Sequence, residues 1–368
     1  MGLKAQEKVY GSLLSSLRAG GVHVVTGKNG TGKSRFFKYA SESIAKALNG
    51  DGSQFDRMIC LSGTMHDKYP RSIYMGKSKS DAAVYLGNKV NNNMVSDISP
   101  FRTLVNYILD PKHVVYDNIS LLFEVFEKVS FEGRMVLKFR YGKGKKSDAI
   151  DAIGSELEVE FHSLGDSIRY FNLFEEHIAN GNILLSDILF SRNGKWYGLA
   201  ELSSGEKQYI LTLLGCLFCS EKNSILFYDE PENSLHPSWQ SNIVRDLVSI
   251  TTRLHSNTTM LIATHSPLIA SSIRNEGSYL CDFPSGQSWS RVKLYGKTSD
   301  AVLRDQFHLF SARSPEVAVL VSSCLKLITE NEQDSQEFRE KRRLLESLDL
   351  DLSQDDPLVK IIGTILGF

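Results

Sequence analysis

The chain has 368 residues, 42 basic and 43 acidic, for a formal net charge of -1 at pH 7. With 42% hydrophobic and 23% charged residues it is not a wholly disordered chain, and its balanced charge excludes a globally basic nucleic-acid binder. At roughly 100–200 residues per domain the length suggests two or three domains.

Residues 3–19 read as an amphipathic helix with Leu13, Leu14 and Leu17 on one side, closed by Gly20-Gly21. The first residues hold no apolar signal segment, and Gln6 stands where a myristoylation signal needs Ser or Thr. A short apolar strand is predicted at 22–26 and a helix at 32–48. Between them Gly27, Lys28, Asn29, Gly30, Thr31, Gly32, Lys33 and Ser34 fit GxxxxGK[ST], where a phosphate-binding loop must sit. The glycines let the backbone curl so that N–H groups face phosphate oxygens, and the helix N-terminus adds partial positive charge. Lys33 can reach the β- and γ-phosphates, and the Ser34 hydroxyl can ligate Mg²⁺.

A second buried strand is expected at 58–61. From about 78 to 182 the composition shifts to Asn, Ser, Lys and Asp. Short helical runs at 101–109, 119–129 and 164–179 and strand-like runs at 134–139 and 157–161 make it an inserted α+β subdomain. Within it Lys138, Arg140, Lys143, Lys145 and Lys146 alternate with Gly142 and Gly144 in an expected loop, either a solvated face or a contact for DNA or RNA phosphates.

Regular alternation resumes at Ile183. Asn193-Gly194, between apolar runs at 188–190 and 196–197, predicts a type I′ hairpin. Leu202, Ser203, Ser204, Gly205, Glu206, Lys207 and Gln208 then open a helix over 204–219. A Ser-Ser-Gly run there offers hydroxyls and N–H groups to a phosphate, or serves as a plain cap with Glu206 closing a capping box on Ser203. The longest apolar run, 209–219, lies in this helix and is far shorter than the roughly 20 residues of a membrane span. Cys216 and Cys219 form a CxxC inside it and read as core. Five cysteines in all are too few for a disulfide scaffold, so a reducing cytoplasm is expected.

A buried strand at 224–228 ends in Asp229 and Glu230. A parallel strand would bring that end beside the phosphate loop. Asp229 could then hold Mg²⁺ with Ser34, and Glu230 could serve as general base on the attacking water; the rival reading is a cap for the next helix. A helix at 237–253, a strand at 258–263 that delivers His265, and a helix from Pro267 complete the alternation of a mainly parallel sheet covered by helices. Residues 298–368 read as helical and charged, with Arg339, Lys341, Arg342 and Arg343 on one helix and an apolar run at 358–366. The expected divisions are 1–77 and 183–297 for the two parts of the core, 78–182 for the insertion and 298–368 for the helical C-terminal region.

Phosphate loop, Ser203 segment, acid pair and His265, in this order, resemble the ATP-binding-cassette (ABC) ATPases, in the soluble branch that includes SMC, RecF and overcoming-lysogenization-defect (OLD) proteins. Leu202 to Glu206, the run Asp229-Glu230-Pro231-Glu232-Asn233-Ser234-Leu235-His236-Pro237, and Ala263-Thr264-His265-Ser266-Pro267 are most similar to the AAA-type ATPases of anti-phage systems such as Septu, PARIS and retrons. The resemblance covers roughly 20–65 and 183–275. It implies a P-loop NTPase core of ABC type, in which two copies sandwich two ATP molecules. Lys33, Ser34, Asp229, Glu230 and His265 of one subunit would meet the signature Ser203, Ser204, Gly205 and Glu206 of the other across the γ-phosphate. It implies ATP and Mg²⁺ as cofactors, a homodimer or larger oligomer, and a separately encoded effector, a nuclease or toxin. The alternative is a RecF-like DNA-binding ATPase of repair or replication; a transporter subunit fits the wording less well.

Three features depart from the family. No Gln lies between Gln54 and Gln208, so Thr64, His66 or Asp67 would have to replace the usual Mg²⁺-linked Gln. Ser204 replaces the signature's second Gly, and Glu206 its final Gln. The chain opens with a helix instead of a strand, leaving Tyr10 as the one nearby aromatic for stacking on adenine. Asp349 and Asp351 in the tail lack the strand and glutamate of a metal-dependent nuclease, so no nuclease is expected.

Overall fold

Uninterrupted apolar runs mark strands buried on both faces, and such runs build the centre of this protein. The structure, a computed structural model, describes residues 3–50, 53–65, 67–74, 82–91, 94–142, 155–255, 257–299, 301–302, 314–348, 350, 352 and 356–367. Its strands are β1 (Val22–Thr26), β2 (Arg57–Ser62), β3 (Ala83–Tyr85), β4 (Lys89–Asn91), β5 (Met94–Val95), β6 (Arg134–Tyr141), β7 (Glu156–Glu160), β8 (Ile183–Arg192), β9 (Lys195–Gly198), β10 (Ser224–Asp229), β11 (Thr259–Ala263), β12 (Ser278–Asp282) and β13 (Ser290–Arg291).

The central sheet runs β13-β12-β1-β11-β10-β2-β3, parallel throughout except for β13. The pairing aligns Val25 with Ala263, Ala263 with Asp229, and Asp229 with Ser62. The chain therefore leaves β1, β11, β10 and β2 along one edge of the sheet, carrying the phosphate loop, His265, Glu230 and Gly63 with it. One face is covered by the helix Lys33–Leu48, whose Phe36, Phe37, Ala40 and Ile44 pack with Val25, Met58, Phe227 and Leu261. Burying each such Phe contributes roughly 1.5–3 kcal/mol. The helix Leu3–Ser15 adds Tyr10 and Leu13 to this cluster. The helix Ser204–Cys219 is apolar on nearly every side because it packs against β2 and the helices Ser99–Ile108, Ile119–Lys128 and Ile243–Leu254. Cys216 and Cys219 are buried in it, and burial pushes the Cys216 thiol up to about 12.

A smaller antiparallel sheet, β7-β6-β8-β9, crosses the boundary expected at residue 183. β8 and β9 pair with the insertion although they follow Ile183, and β3, inside the stretch expected to be inserted, extends the central sheet from β2. Long-range pairing decides allegiance here, and composition does not report it. The hairpin at Asn193-Gly194 pairs Arg192 with Lys195, both turn residues having positive φ, at 51° and 71°. Lys138 and Arg140 lie on β6, not in a loop, and Lys138 is paired with Glu156 at 2.8 Å; Lys143, Lys145 and Lys146 lie outside the described residues. The helix expected at 237–253 is two, Pro237–Gln240 and Ile243–Leu254. The first is capped by His236, whose Nδ1 accepts the Ser238 N–H at 3.3 Å.

The chain divides into two compact units, Met1–Lys297 and Thr298–Phe368. In the second, the helices Pro315–Thr329, Gln336–Ser347 and Pro357–Leu366 enclose a core of Val317, Val321, Cys324, Leu327, Phe338, Leu345, Leu358 and Ile365. Of its basic group, Lys341 pairs with Glu337 at 3.2 Å, and Arg339 and Arg342 donate to the carbonyls of Asp334 and Leu366. Asp349 and Asp351 lie outside the described residues.

Candidate functional site

The turn after β1 has the backbone of a phosphate cradle. Gly27, Gly30 and Gly32 sit at φ of 137°, 81° and 108°, and the helix starts at Lys33. At Gly27 a Cβ would lie 2.5 Å from the Phe283 carbonyl oxygen, so only glycine fits. Lys28, Asn29 and Thr31 fill the arc between, Thr31 donating its hydroxyl back to the Lys28 carbonyl at 2.8 Å. Lys33, 4% exposed, donates to the carbonyls of Gly27 at 2.8 Å and Lys28 at 3.2 Å. Burial lowers its pKa, and Glu230, Glu232, Asp229 and Asp282 oppose that shift. The ammonium is thus held inside the loop amid four carboxylates.

Asp229 ends β10 at 1% exposure. Burial, reinforced by Glu230 and Asp67, pushes its pKa up to about 7, against a hydrogen bond from Ser34 and the charge of Lys33. Its Oδ1 is buried with no protein partner. A buried carboxylate with an orphaned oxygen, a bound hydroxyl and acid neighbours is a set of hard donors short of one cation, which fits Mg²⁺ held by Ser34 and Asp229. Among the described residues no group of three His, Cys, Asp or Glu side chains could hold a metal on its own, so other ligands would come from substrate and water.

Glu230 follows in the left-handed region, at φ 50° and ψ 58°, which costs a non-glycine residue about 1–2 kcal/mol. Its N–H donates to the Ala263 carbonyl at 2.9 Å, and its Oε2 accepts the Asn233 side-chain amide at 2.8 Å. The strained backbone turns this side chain out of the sheet while Asn233 steadies it. His265 leaves the neighbouring strand, and its Nδ1 lies 2.8 Å from Glu232 Oε1. This contact is the main reason the His265 pKa is raised.

The signature segment takes the capping arrangement. Ser203 Oγ accepts the Glu206 N–H at 3.2 Å, while Glu206 Oε2 accepts the Ser203 N–H at 2.9 Å and hydroxyl at 2.8 Å. Glu206 Oε1 takes Arg192 at 2.6 Å. Burial would raise the Glu206 pKa, but Arg192 and Ser203 hold it below the usual carboxylate range. Ser203 and Ser204 are exposed and Gly205 is buried; a Cβ on Gly205 would come within 3.0 Å of both the Ser234 carbonyl oxygen and the Trp239 ring. The segment is therefore packed onto the loop that follows the acid pair. A side chain there would force the loop to give by a few tenths of an ångström.

Sequence reasoning places Tyr10 differently from the fold. Its ring is buried at 5% exposure, parallel to Phe283 at 5.9 Å, with its hydroxyl donating to the Gly32 carbonyl. It braces the phosphate loop from beneath and offers no face to an adenine. Asp67, one of the three candidates past β2, is 3% exposed, accepts the Tyr85 hydroxyl at 2.6 Å, and adds to the charge felt by Asp229. Thr64 lies on the turn after β2, its N–H donating to Ser62 Oγ at 3.1 Å; His66 lies outside the described residues. Glu232, Gln240 and Arg192 escape the motif reading. Glu232 has a local signal, a third acid in the Asp-Glu-Pro-Glu run, whereas Arg192 shows only as the residue before Asn193-Gly194.

The chain is similar in sequence to known proteins. The Escherichia coli "Retron Ec83 probable ATPase" is 29% identical over 142 residues, covering 35% of this chain and 25% of that protein. The chain thus spans about a quarter of that relative's length. Among solved structures, cbiO1 from Clostridium perfringens, part of the ABC transporter complex cbiONQ, is 16% identical, covering 78% of this chain and 81% of its own at a TM-score of 0.29. An SMC head bound to the C-terminal winged helix of ScpA is 14% identical, covering 76% and 92% at a TM-score of 0.33. The family described as "AAA domain, putative AbiEii toxin, Type IV TA system" matches residues 87–271, half of the chain. The chain belongs to this AAA-domain family.

Proposed function

We propose that the protein binds and hydrolyses ATP, and that ATP joins two copies into a clamp which holds or releases a separate effector, a nuclease or toxin, in anti-phage defence. The observation that carries this reading is the convergence of the Gly27–Ser34 turn, Asp229, Glu230 and His265 on one edge of the parallel sheet. Likeness to a retron ATPase supports the defence setting.

Lys33 and the loop N–H groups would grip the β- and γ-phosphates. Mg²⁺, held by Ser34 and Asp229, would supply charge neutralisation on the phosphate oxygens. Glu230 accepts a proton from water as the water oxygen bonds to the γ-phosphorus. The bond from that phosphorus to the β–γ bridging oxygen breaks, leaving ADP and inorganic phosphate. His265 faces the same edge and contributes a charged or hydrogen-bonding group to the γ-phosphate. Ser203, Ser204 and Gly205 of a second copy would close over that phosphate, so the joint lasts only while the γ-phosphate is attached.

Size-exclusion chromatography and phosphate release test this with two variants. Glu230→Gln should lower turnover about 10²–10⁴-fold while ATP holds the protein in its larger form. Lys33→Ala, which loses charge-assisted bonds of about 1.5–3 kcal/mol each, should neither bind ATP nor assemble. Elution that ignores ATP in wild type and in both variants ends the clamp reading. Salt-sensitive, ATP-dependent DNA binding by the wild type would favour the RecF-like alternative.

A further inference from the structure

One buried acid has no part in the chemistry above. Glu232 lies two residues beyond Glu230, with its side chain 5% exposed. Its Oε1 accepts the backbone N–H of His265 at 2.5 Å and lies 2.8 Å from that residue's Nδ1, while its Oε2 accepts the Thr264 hydroxyl at 2.8 Å. An ionised carboxylate at such depth costs several kcal/mol unless donors fill its lone pairs, and here every donor comes from the end of β11. Nδ1 is buried and has no well-aligned hydrogen bond, Oε1 being the acceptor 2.8 Å from it. An oxygen 2.8 Å from a bare nitrogen lone pair would nevertheless be repelled, so the proton belongs on Nδ1.

A second tie runs beside the first. Gln240 donates to the carbonyls of Leu235 at 2.9 Å and Glu232 at 3.3 Å, and its Oε1 accepts the Ser266 hydroxyl at 2.7 Å. Residues 232–235 are thereby fastened to 264–266 at two points, while Gly205 of the signature helix packs on Ser234 and Trp239 of the same stretch. Glu230 shares none of these bonds; its carboxylate is held by Asn233.

We infer that Glu232 is a positioning residue: it fixes His265 as the Nδ1–H tautomer and makes the histidine move as one piece with the loop on which the signature segment rests. A displacement of that loop by a second copy would reach His265 directly, with the phosphate loop left in place. This inference rests on the ATPase reading for its purpose, but its structural content does not need ATP.

The test uses the full chain labelled with ¹⁵N-histidine, the His265 signals being assigned against His265→Gln. Without nucleotide, wild type should show the Nδ1–H tautomer at His265, and Glu232→Ala should show a mixture in which Nε2–H gains. In steady state the same variant should lose about 10–100-fold in kcat with the KM for ATP within twofold, the usual scale for removing an outer partner of an active-site histidine. Glu232→Met keeps most of the volume without an acceptor and replaces Glu232→Ala should the latter fail to fold; it should show the same tautomer change. An unchanged tautomer in the variant, or a loss confined to KM, overturns the proposal. A wild type that shows Nδ1–H but no ATPase activity would instead defeat the proposed function and leave the positioning role standing.

Discussion

The two halves of the candidate site are built on opposite principles. The phosphate-loop half is buried: Lys33 and Asp229 are 4% and 1% exposed, Glu232 is clamped, and Tyr10 props the loop from beneath. The signature half faces outward, Ser203 and Ser204 being exposed and the former spending its hydroxyl on its own helix. Burial holds the first half in a fixed position, since a low local dielectric strengthens each hydrogen bond it makes. Exposure lets the second half exchange one set of partners for another at little cost, because water competes for every bond it makes. A site divided in this way has a permanent part and an exposed one.

The sharpest way to break the contrast is Gly27→Ala. The residue sits at φ 137° with the Phe283 carbonyl 2.5 Å and the Thr31 hydroxyl 2.9 Å from the position of an added Cβ. No rotamer relieves a clash with backbone, so the loop must open, at a cost of about 3 kcal/mol or more. Calorimetry should find no ATP uptake and differential scanning a lower Tm. A variant that binds ATP as wild type does would show that the loop is not the permanent half.

Legibility does not follow that division: in both halves the readable features are local ones. Spacing of Gly27, Gly30, Gly32, Lys33 and Ser34 reports a local backbone path, and the Ser203 to Glu206 capping box and the Asn193-Gly194 turn are equally local. What stayed hidden depends on neighbours far along the chain. β8 pairs with β6, some 50 residues away, and nothing in the alternation of either strand names its partner. The clamp on His265 exists only because β10 and β11 are adjacent. Tyr10 reads as an aromatic free to stack because helix periodicity says which residues share a face, not what that face meets.

Acidity separates the halves by a smaller margin. His23, on β1 beneath the phosphate loop, is fully buried, stacks on Tyr279 at 5.1 Å and accepts the Arg18 N–H at 3.1 Å. Burial, helped by Arg18 and opposed by the Gly21 and Met260 backbone, pulls its pKa down to about 4. The fold holds it neutral, whereas the unfolded chain takes up a proton near pH 6.5. Its contribution is therefore intact above pH 6.5 and lost as pH falls toward 4. At 1.36 kcal/mol per unit, stability should drop by about 2 kcal/mol between pH 7 and pH 5 through this residue alone. Urea unfolding of His23→Gln should show a shallower dependence over that range. Equal slopes for variant and wild type would remove His23 from the account.

The smallest effect should come from the outward half. Arg192 reaches Glu206 at 2.6 Å, donates to the carbonyls of Val129 and Ser130, and lies over the rings of Phe131 and Tyr197 at 4.5 and 5.7 Å. It ties the small antiparallel sheet to the first turn of the helix that Ser203 caps. Arg192→Ala leaves the capping box its own bonds but frees Glu206 to swing, at about 1 kcal/mol for a partly exposed pair. If the signature docks on a second copy, that loss should weaken ATP-driven assembly roughly fivefold, measured by sedimentation in the Glu230→Gln background, with ATP affinity of the separate subunit unchanged. A matching fall in subunit affinity would mean that the small sheet supports the phosphate loop as well, and the two halves would then be one structure.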